Sequence, residues 1–189
     1  DSDPCAVAGG DPRWWRSVGD AGYDGGLMWT HTTDSANTEN YAQWNLDFVE
    51  AGSYRIDVHT DGGTYGEATL AAYRVVHEGS EVTVVIDQSA VNGWQTLGEF
   101  SFAAGAAQFV RVDDNTGEPL TGETRLQFDA LRIAPVDADD PTDPTDPVDP
   151  RYDPNDPQNN DDSNEISGGC QAGTGGSAGT LFPLLLVGL

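Results

Sequence analysis

The sequence has no lysine in its 189 residues. All of its 8 basic residues are arginine, they face 32 aspartates and glutamates, and the formal net charge is -24. A chain this acidic repels phosphate groups, which argues against binding to nucleic acid or to an anionic membrane surface. Cations, cationic polymers and neutral ligands remain open as partners.

Cysteine and long apolar runs are also scarce. Cys5 and Cys170 lie in the two terminal segments, so the sequence predicts no disulfide within a central core, and both a free thiol and an intermolecular bridge stay open for Cys5. The apolar stretch from Leu181 to the end has nine residues, whereas a spanning helix needs roughly 20. This stretch is therefore too short to cross a bilayer by itself.

Short catalytic motifs are missing. The three histidines are His31, His59 and His77, and none belongs to an H-E-x-x-H pattern; C-x-x-C and G-x-S-x-G are absent as well. A Ser-His-Asp site can assemble from residues distant in sequence, so a hydrolase with a dispersed active site stays as an alternative. The prediction is nevertheless a protein without enzymatic activity.

The clearest positive feature is an acidic Asp-Pro stalk from about Asp137 to Glu165. Proline recurs at every third position from Pro141 to Pro150, which excludes helix and central strand and favours polyproline II. Fully extended, the run from Pro141 to Pro157 would span about 50 Å. We interpret it as a passive spacer, with weak Ca²⁺ binding by its aspartates as the alternative. The predicted layout is an N-terminal segment, a folded module, the linker and a tail, at residues 1–13, 14–135, 136–165 and 166–189.

The folded module reads as short strands separated by Gly, Asp and Asn turns. In Tyr41–Val49 apolar residues alternate with polar ones, which places Trp44 on a core-facing side, and Ser53–Thr60 alternates in the same way. Further strands are predicted at 70–77, 81–87, 94–102, 107–113 and 126–133, with a tight hairpin at Glu78-Gly79. The fold class is therefore all-β: an antiparallel, jelly-roll-like β-sandwich followed by a disordered C-terminal stalk and tail.

Several motifs in this module carry a resemblance to a known family. They are A-G-S-Y-R-I-D-V-H from Ala51, V-I-D-Q followed by G-W-Q-T-L-G, and F-D-A-L-R-I from Phe128. In this order they resemble the golvesin C-terminal-like domain, a β-sandwich module of exported bacterial proteins. The resemblance implies a non-catalytic accessory or ligand-binding module, for which polysaccharide is one ligand class.

The C-terminal tail carries a second resemblance. Small residues surround Cys170, and a flexible spacer and an apolar end follow it. This arrangement is similar to the C-terminal sorting signals of myxobacteria, although the final arginines of such signals are missing here. The resemblance implies cleavage near Cys170 and attachment to the outer face of a Gram-negative cell. The alternative is an apolar end without function.

Aromatic residues supply the candidate ligand-binding site. Trp44 is predicted to be core and Trp94 core or semi-core. A Gly-rich segment before the first predicted strand is rich in aromatic side chains, which can offer flat faces to sugar rings. Polar neighbours could hydrogen-bond beside them, and the alternative is that the aromatics only cap one end of the sandwich. The predicted ligand-binding residues are Trp14, Trp15, Tyr23, Trp29, Tyr65, Arg16 and His31.

Calcium is the one metal that the sequence suggests, as a structural ion. Asp20 and Asp24, or Asp113 and Asp114 with Asn115, could supply oxygen ligands from loops, although turn chemistry explains the same residues equally well. No other cofactor is predicted.

These features together predict a secreted, surface-tethered module that binds an extracellular glycan or envelope component without chemistry. The first alternative is a structural or adhesive protein of an envelope or matrix assembly. The second is the hydrolase with a dispersed site.

Overall fold

The computed structural model describes residues 5–136 and the backbone of three short strands at 166–167, 171–172 and 180–182. The described part is an antiparallel β-sandwich, as predicted, with three short 3-10 turns at Pro12–Trp14, Tyr23–Gly25 and Leu120–Gly122. Within these residues no helix is long and apolar enough to span a membrane. The stalk from Asp137 to Glu165 and the anchoring residue Cys170 lie outside the described residues.

One sheet of the sandwich has five main strands, all paired antiparallel in the order β1-β4-β9-β6-β7. The strands are β1 (Ala6–Gly10), β4 (Asn40–Phe48), β6 (Ala71–His77), β7 (Ser80–Ile86) and β9 (Gly105–Asp113). The β6–β7 turn is tight because Glu78 and Gly79 both adopt positive φ, the geometry of a two-residue hairpin, which confirms the predicted turn. β1 lies in the 1–13 segment that the sequence placed outside the module.

The opposing sheet consists of β5 (Gly52–Asp61), β8 (Asn92–Phe102) and β11 (Leu131–Pro135), with β5 in the middle. A bulge interrupts the β5–β8 register between Ile56 and Asp57, where Gly98 adopts a φ of +147°. Alternation along β5 directs Ile56 and Val58 into the core, and Asp57 and His59 to the outer side, as predicted.

A third, small sheet is made of β2 (Arg16–Gly19), β3 (Gly26–His31) and β10 (Arg125–Phe128), with β3 in the middle. The sequence did not predict β2 or β3, because their Gly-rich segment has only weak alternation. In the register, Leu126 lies opposite Thr30 and Phe128 opposite Met28. Since Leu126 and Phe128 are fully buried, Trp29 and His31 project from the other face.

The core lies between the two large sheets and draws inward side chains from both. Trp44, Phe48 and Tyr73 face Ile56 and Phe102 across it, and Phe48 and Phe102 stack with ring centroids 4.4 Å apart. The core assignment of Trp44 is confirmed, since it is 1% exposed.

One polar side chain ties the core to the small sheet. The Gln88 amide nitrogen donates to the Tyr73 hydroxyl and to the Gln127 carbonyl, and its carbonyl oxygen accepts from the Gln127 backbone N–H. All three residues are buried, so this network fixes β10 against β6 and positions the small sheet on the sandwich.

The three short strands of the C-terminal segment pair with the sandwich through their backbones. They are β12 (Ile166–Ser167), β13 (Gln171–Ala172) and β14 (Thr180–Phe182). β14 pairs antiparallel with β11 and parallel with β12, and β13 pairs parallel with β4.

Candidate ligand-binding site

Four side chains from three elements meet at the outward face of the small sheet, and we call them the Trp29 surface: Trp29 and His31 from β3, Arg125 from β10, and Tyr65 from the β5–β6 loop. The Trp29 and His31 rings lie 5.1 Å apart and nearly perpendicular. The Arg125 guanidinium carbon is 5.7 Å from the Trp29 ring centroid and 5.5 Å from that of Tyr65. All four are half-buried, so the surface offers aromatic faces beside a planar cation.

Arg125 is held in place by Glu67. Its Nη2 and Nε donate to the two Glu67 carboxylate oxygens at 2.6 and 2.9 Å. This bidentate hydrogen bonding lowers the pKa of the Glu67 carboxyl and raises the pKa of Arg125. The Glu67 and Ala68 backbone N–H groups also donate to the Arg125 carbonyl, which anchors the Tyr65 loop to β10. The pair presents a rigid, locally neutral polar edge.

A small pocket of about 50 Å³ opens beside His31. Its lining residues come from the end of β3, the following loop, the start of β4, the residue after β9 and two of the 3-10 turns: Trp14, Thr30, His31, Thr32, Thr33, Glu39, Asn40, Asp114 and Leu120. The buried Asp114 carboxylate accepts the backbone N–H groups of Glu39 and Asn40 at 2.9 and 2.8 Å. Burial nevertheless raises the pKa of Asp114.

A second aromatic group lies on the outer side of the β5–β8–β11 sheet, and we call it the paired surface: Tyr23, Asp57, His59, Trp94 and Arg132. The Trp94 ring contacts Tyr23, His59 and Arg132 at centroid distances of 5.1, 5.2 and 4.5 Å. Asp57 is 1% exposed and accepts from Thr96 at 2.7 Å and from Arg132 Nε at 2.9 Å. Each charged side chain of this surface therefore has a partner within the domain.

His59 on the paired surface bonds the buried carboxylate of Asp129 at 2.7 Å. That carboxylate also accepts the Tyr23 backbone N–H at 2.8 Å, which fastens the β2–β3 turn, and burial raises the pKa of Asp129. A histidine beside a carboxylate can act as a base, but among residues 5–136 no serine, threonine or cysteine side chain hydrogen-bonds the His59 ring. The pair here serves as a structural tie.

The family model of the Golvesin C-terminal domain matches residues 5–133. The chain belongs to this family. The resemblance seen in the sequence is thereby confirmed for the folded module, and the match includes β1, which precedes the predicted module boundary.

Solved structures with a similar fold include a Paenibacillus xanthan lyase, with a TM-score of 0.51 and 20% identity. The match covers 70% of this chain but only 13% of the lyase, so the likeness concerns one part of a much larger protein. Family 35 carbohydrate-binding modules from Cellvibrio japonicus and Clostridium thermocellum match at 17% and 20% identity, covering 68% and 58% of this chain and 91% and 80% of theirs. Their TM-scores are 0.39 and 0.40. No curated protein matches the chain.

In this Golvesin C-terminal domain, five of the predicted ligand-binding residues lie close together. Trp29, His31 and Tyr65 are part of the Trp29 surface, and Trp14, which is 38% exposed, borders the neighbouring pocket. Arg16 is the register partner of Trp29, but its guanidinium donates to the carbonyls of the 3-10 turn that precedes β2.

Two further predicted residues lie elsewhere. Trp15 packs inward against Phe128 with ring centroids 4.6 Å apart, and its Nε1 donates to the Gly9 carbonyl. Tyr23 belongs to the paired surface. Trp94, predicted to be core or semi-core, is half-buried on the outer face of β8.

The predicted calcium ligands do not come together. Asp20 and Asp24 occupy an exposed hairpin and both adopt positive φ, as turn residues do. Asp113 is bound by Arg111 at 2.5 Å and lies 3.6 Å from Arg74, whereas Asp114 caps backbone N–H groups. Residues 5–136 contain no cluster of three or more His, Cys, Asp or Glu side chains suited to a metal ion.

Sequence reasoning missed Arg125, Glu67, Thr32 and Asn40 as parts of this region. The contact between Arg125 and Glu67 joins β10 to the distant β5–β6 loop, and no local pattern reveals it. A disulfide bonds Cys5, which removes the free-thiol alternative for this residue.

Proposed function

We propose that the domain binds carbohydrate on the Trp29 surface, without catalysing a reaction. The observation that carries the proposal is that the Trp29 and Tyr65 rings both lie close to the Arg125 guanidinium, at 5.7 and 5.5 Å, and that Glu67 holds this guanidinium in place. A sugar ring has apolar C–H faces and a hydroxyl-bearing edge. Aromatic rings cover the faces, and a charged pair with donors and acceptors meets the edge.

The ligand is expected to be neutral or cationic. Net charge is -24, and Arg125 is neutralised by Glu67, so the surface has little attraction for an anionic polymer. The xanthan lyase that shares the fold is consistent with carbohydrate as the ligand class.

A glycan array with the full chain tests this proposal. Trp29→Ala should lower the affinity for a bound glycan at least about tenfold, which corresponds to about 1.4 kcal/mol. Tyr41→Ala is the matched control, because the Tyr41 ring lies on a different sheet, covered by the Arg111 guanidinium at 3.6 Å, and should not contact the ligand. Equal binding by wild type and Trp29→Ala would contradict the proposal.

We further propose that the module is displayed on the cell surface through the tail around Cys170. Cys170→Ala should abolish surface retention in the native host. Because Cys5 is disulfide-bonded, Cys5→Ala controls for the loss of a disulfide. Equal loss of retention in both variants would point to folding rather than anchoring.

One observation favours assembly as a second function. Among the described strands, β7 is an edge strand, and it exposes Val82 and Val85 at 40% and 56%. If it mediates assembly, Val85→Lys should convert an oligomer to a monomer in sedimentation. A monomeric wild type would exclude this function at the tested concentration.

A further inference from the structure

The pocket beside His31 holds an unusual concentration of unpaired polar atoms. Three of the six buried side-chain atoms without a hydrogen-bond partner among residues 5–136 belong to its lining: His31 Nδ1, Thr32 Oγ1 and Asn40 Oδ1. Thr32 is 0% and Asn40 1% exposed. Because an unsatisfied buried polar atom costs about 1–3 kcal/mol, folded proteins rarely collect them without a partner.

The size of the pocket limits what can enter. Its volume of about 50 Å³ compares with the roughly 10–15 Å³ that one buried water needs by the same measure. A substituent of two non-hydrogen atoms therefore fits inside it. Trp14 at the border can support a ring outside the pocket while one substituent points inward.

The unpaired atoms define the chemistry of that substituent. Asn40 Oδ1 only accepts hydrogen bonds, the Thr32 hydroxyl both donates and accepts, and His31 Nδ1 does either according to its tautomer. A group that both donates and accepts satisfies such a mixture best, and a hydroxyl does so.

The charges of the lining residues further restrict which substituent can enter the pocket. The Glu39 and Asp114 carboxylates also line the pocket, and no arginine does. A carboxylate entering here would meet two like charges and no arginine to offset them. On a pyranose ring, the substituent that combines a hydroxyl with one extra carbon of reach is the hydroxymethyl group.

We propose that the pocket accepts the hydroxymethyl group of a hexopyranose, so that the domain selects hexoses over uronic acids, 6-deoxyhexoses and pentoses. This inference rests on the proposed carbohydrate binding and specifies its ligand class. A sugar that lacks the hydroxyl leaves buried acceptors unpaired, and sites built around a ligand hydroxyl discriminate strongly against such analogues. Since the pocket is open to solvent on one side, we expect a preference of about 10- to 100-fold rather than the larger factors of enclosed sites.

Matched methyl glycosides test the inference by NMR titration of the full chain. The probes are the β-glucoside, β-xyloside, 6-deoxy-β-glucoside, 6-amino-6-deoxy-β-glucoside and β-glucuronide, together with the corresponding galactose series. In at least one series the hexose should bind at least about tenfold more tightly than the other members.

Thr32→Val is the decisive variant, because valine has nearly the shape of threonine and removes only the hydroxyl. It should reduce the preference for the hexose while leaving thermal stability close to wild type, since Thr32 Oγ1 has no partner to lose. Thr83→Val, at an exposed position on β7, is the control and should leave the preference unchanged.

The outcomes separate the two proposals. Equal binding of hexose and analogues, or tighter binding of the glucuronide or the amino sugar, would overturn the hydroxymethyl inference and leave carbohydrate binding intact. If no glycoside of either series binds and Trp29→Ala matches wild type on the glycan array, carbohydrate binding fails, and the inference fails with it.

Discussion

Two outward surfaces of the domain contain the same kinds of side chain, and they differ in what remains unpaired. The Trp29 surface and the paired surface each combine aromatic rings, a histidine and an arginine next to a carboxylate. On the paired surface, Asp57 accepts from Arg132 and Thr96, and Arg132 covers the Trp94 ring. In the pocket beside the Trp29 surface, His31 Nδ1, Thr32 Oγ1 and Asn40 Oδ1 have no hydrogen-bond partner among residues 5–136.

This difference shows that aromatic and charged composition alone does not identify a binding site. The polar groups of the paired surface satisfy one another, so a ligand would have to displace existing bonds at a cost. The pocket beside the Trp29 surface has acceptors and donors still to satisfy, so a ligand hydroxyl gains bonds there without breaking any. We therefore expect the paired surface to contribute stability and the Trp29 surface to carry the proposed binding.

Removing a carboxylate from the paired surface should have the largest effect. Asp57→Ala deprives Arg132 and Thr96 of a 1% exposed acceptor and should lower the free energy of unfolding by about 2–4 kcal/mol. Urea denaturation measures the change. Glu99→Ala, at an exposed position of β8, is the control and should stay within about 0.5 kcal/mol of wild type. A small effect of Asp57→Ala would show that the pairing contributes little.

Replacing one tryptophan of each surface by alanine tests directly whether the two surfaces differ in their roles. Trp94 contacts two rings and Arg132, so Trp94→Ala should cost about 2 kcal/mol of stability, roughly half of a core tryptophan, and leave glycan affinity intact. Trp29→Ala should cost about half as much stability and remove binding. Thermal melts and the glycan array on both variants decide the question. Loss of binding in Trp94→Ala, with its fold preserved, would extend the binding site to the paired surface.

Much of the sandwich could be predicted from the sequence, because alternation reports directly which side chains face the core. Ala42, Trp44, Leu46 and Phe48 are all buried, as the pattern of β4 requires. β2 and β3 escaped prediction because Gly and polar residues weaken their alternation, and what defines them is pairing with each other and with the distant β10.

The residues of the Trp29 surface, the proposed binding surface, were predictable only in part, for the same reason. Loop aromatics made Trp29, His31 and Tyr65 candidates, and the structure brings these three together. Their partner Arg125 lies 60 residues beyond Tyr65 in sequence. The β3–β10 register brings it close to Trp29 and His31, and the Glu67 and Ala68 backbone bonds to its carbonyl bring it close to Tyr65. An aromatic ring can contact a ligand only where it is exposed. Trp15, adjacent to Trp14, packs inward against Phe128 instead, and the sequence does not reveal this.

The smallest expected effect is on the pH dependence of stability. A carboxyl beside each surface should shift this dependence, and the two shifts should have opposite signs. Hydrogen bonding to Arg125 lowers the pKa of Glu67, so this carboxyl stabilises the fold above its unfolded pKa near 4.5, and the contribution is lost as pH falls through the lower folded pKa. Burial raises the pKa of Asp129, so the stability that this carboxyl contributes below its unfolded pKa near 3.8 is lost as pH rises through the higher folded pKa.

Glu67→Gln should therefore be less stable than wild type at pH 7, and the gap should close as pH drops toward 3. The gap should be below about 1 kcal/mol, because the side chains of Glu67 and Arg125 are 34% and 29% exposed and water screens their attraction. Urea denaturation of both proteins between pH 7 and 3 measures it. A gap that stays constant with pH would mean that Glu67 acts by packing alone. Arg125 would then be held by its backbone pairing with β3, and the charged pair could be removed from the proposed binding edge without disturbing the rings beside it.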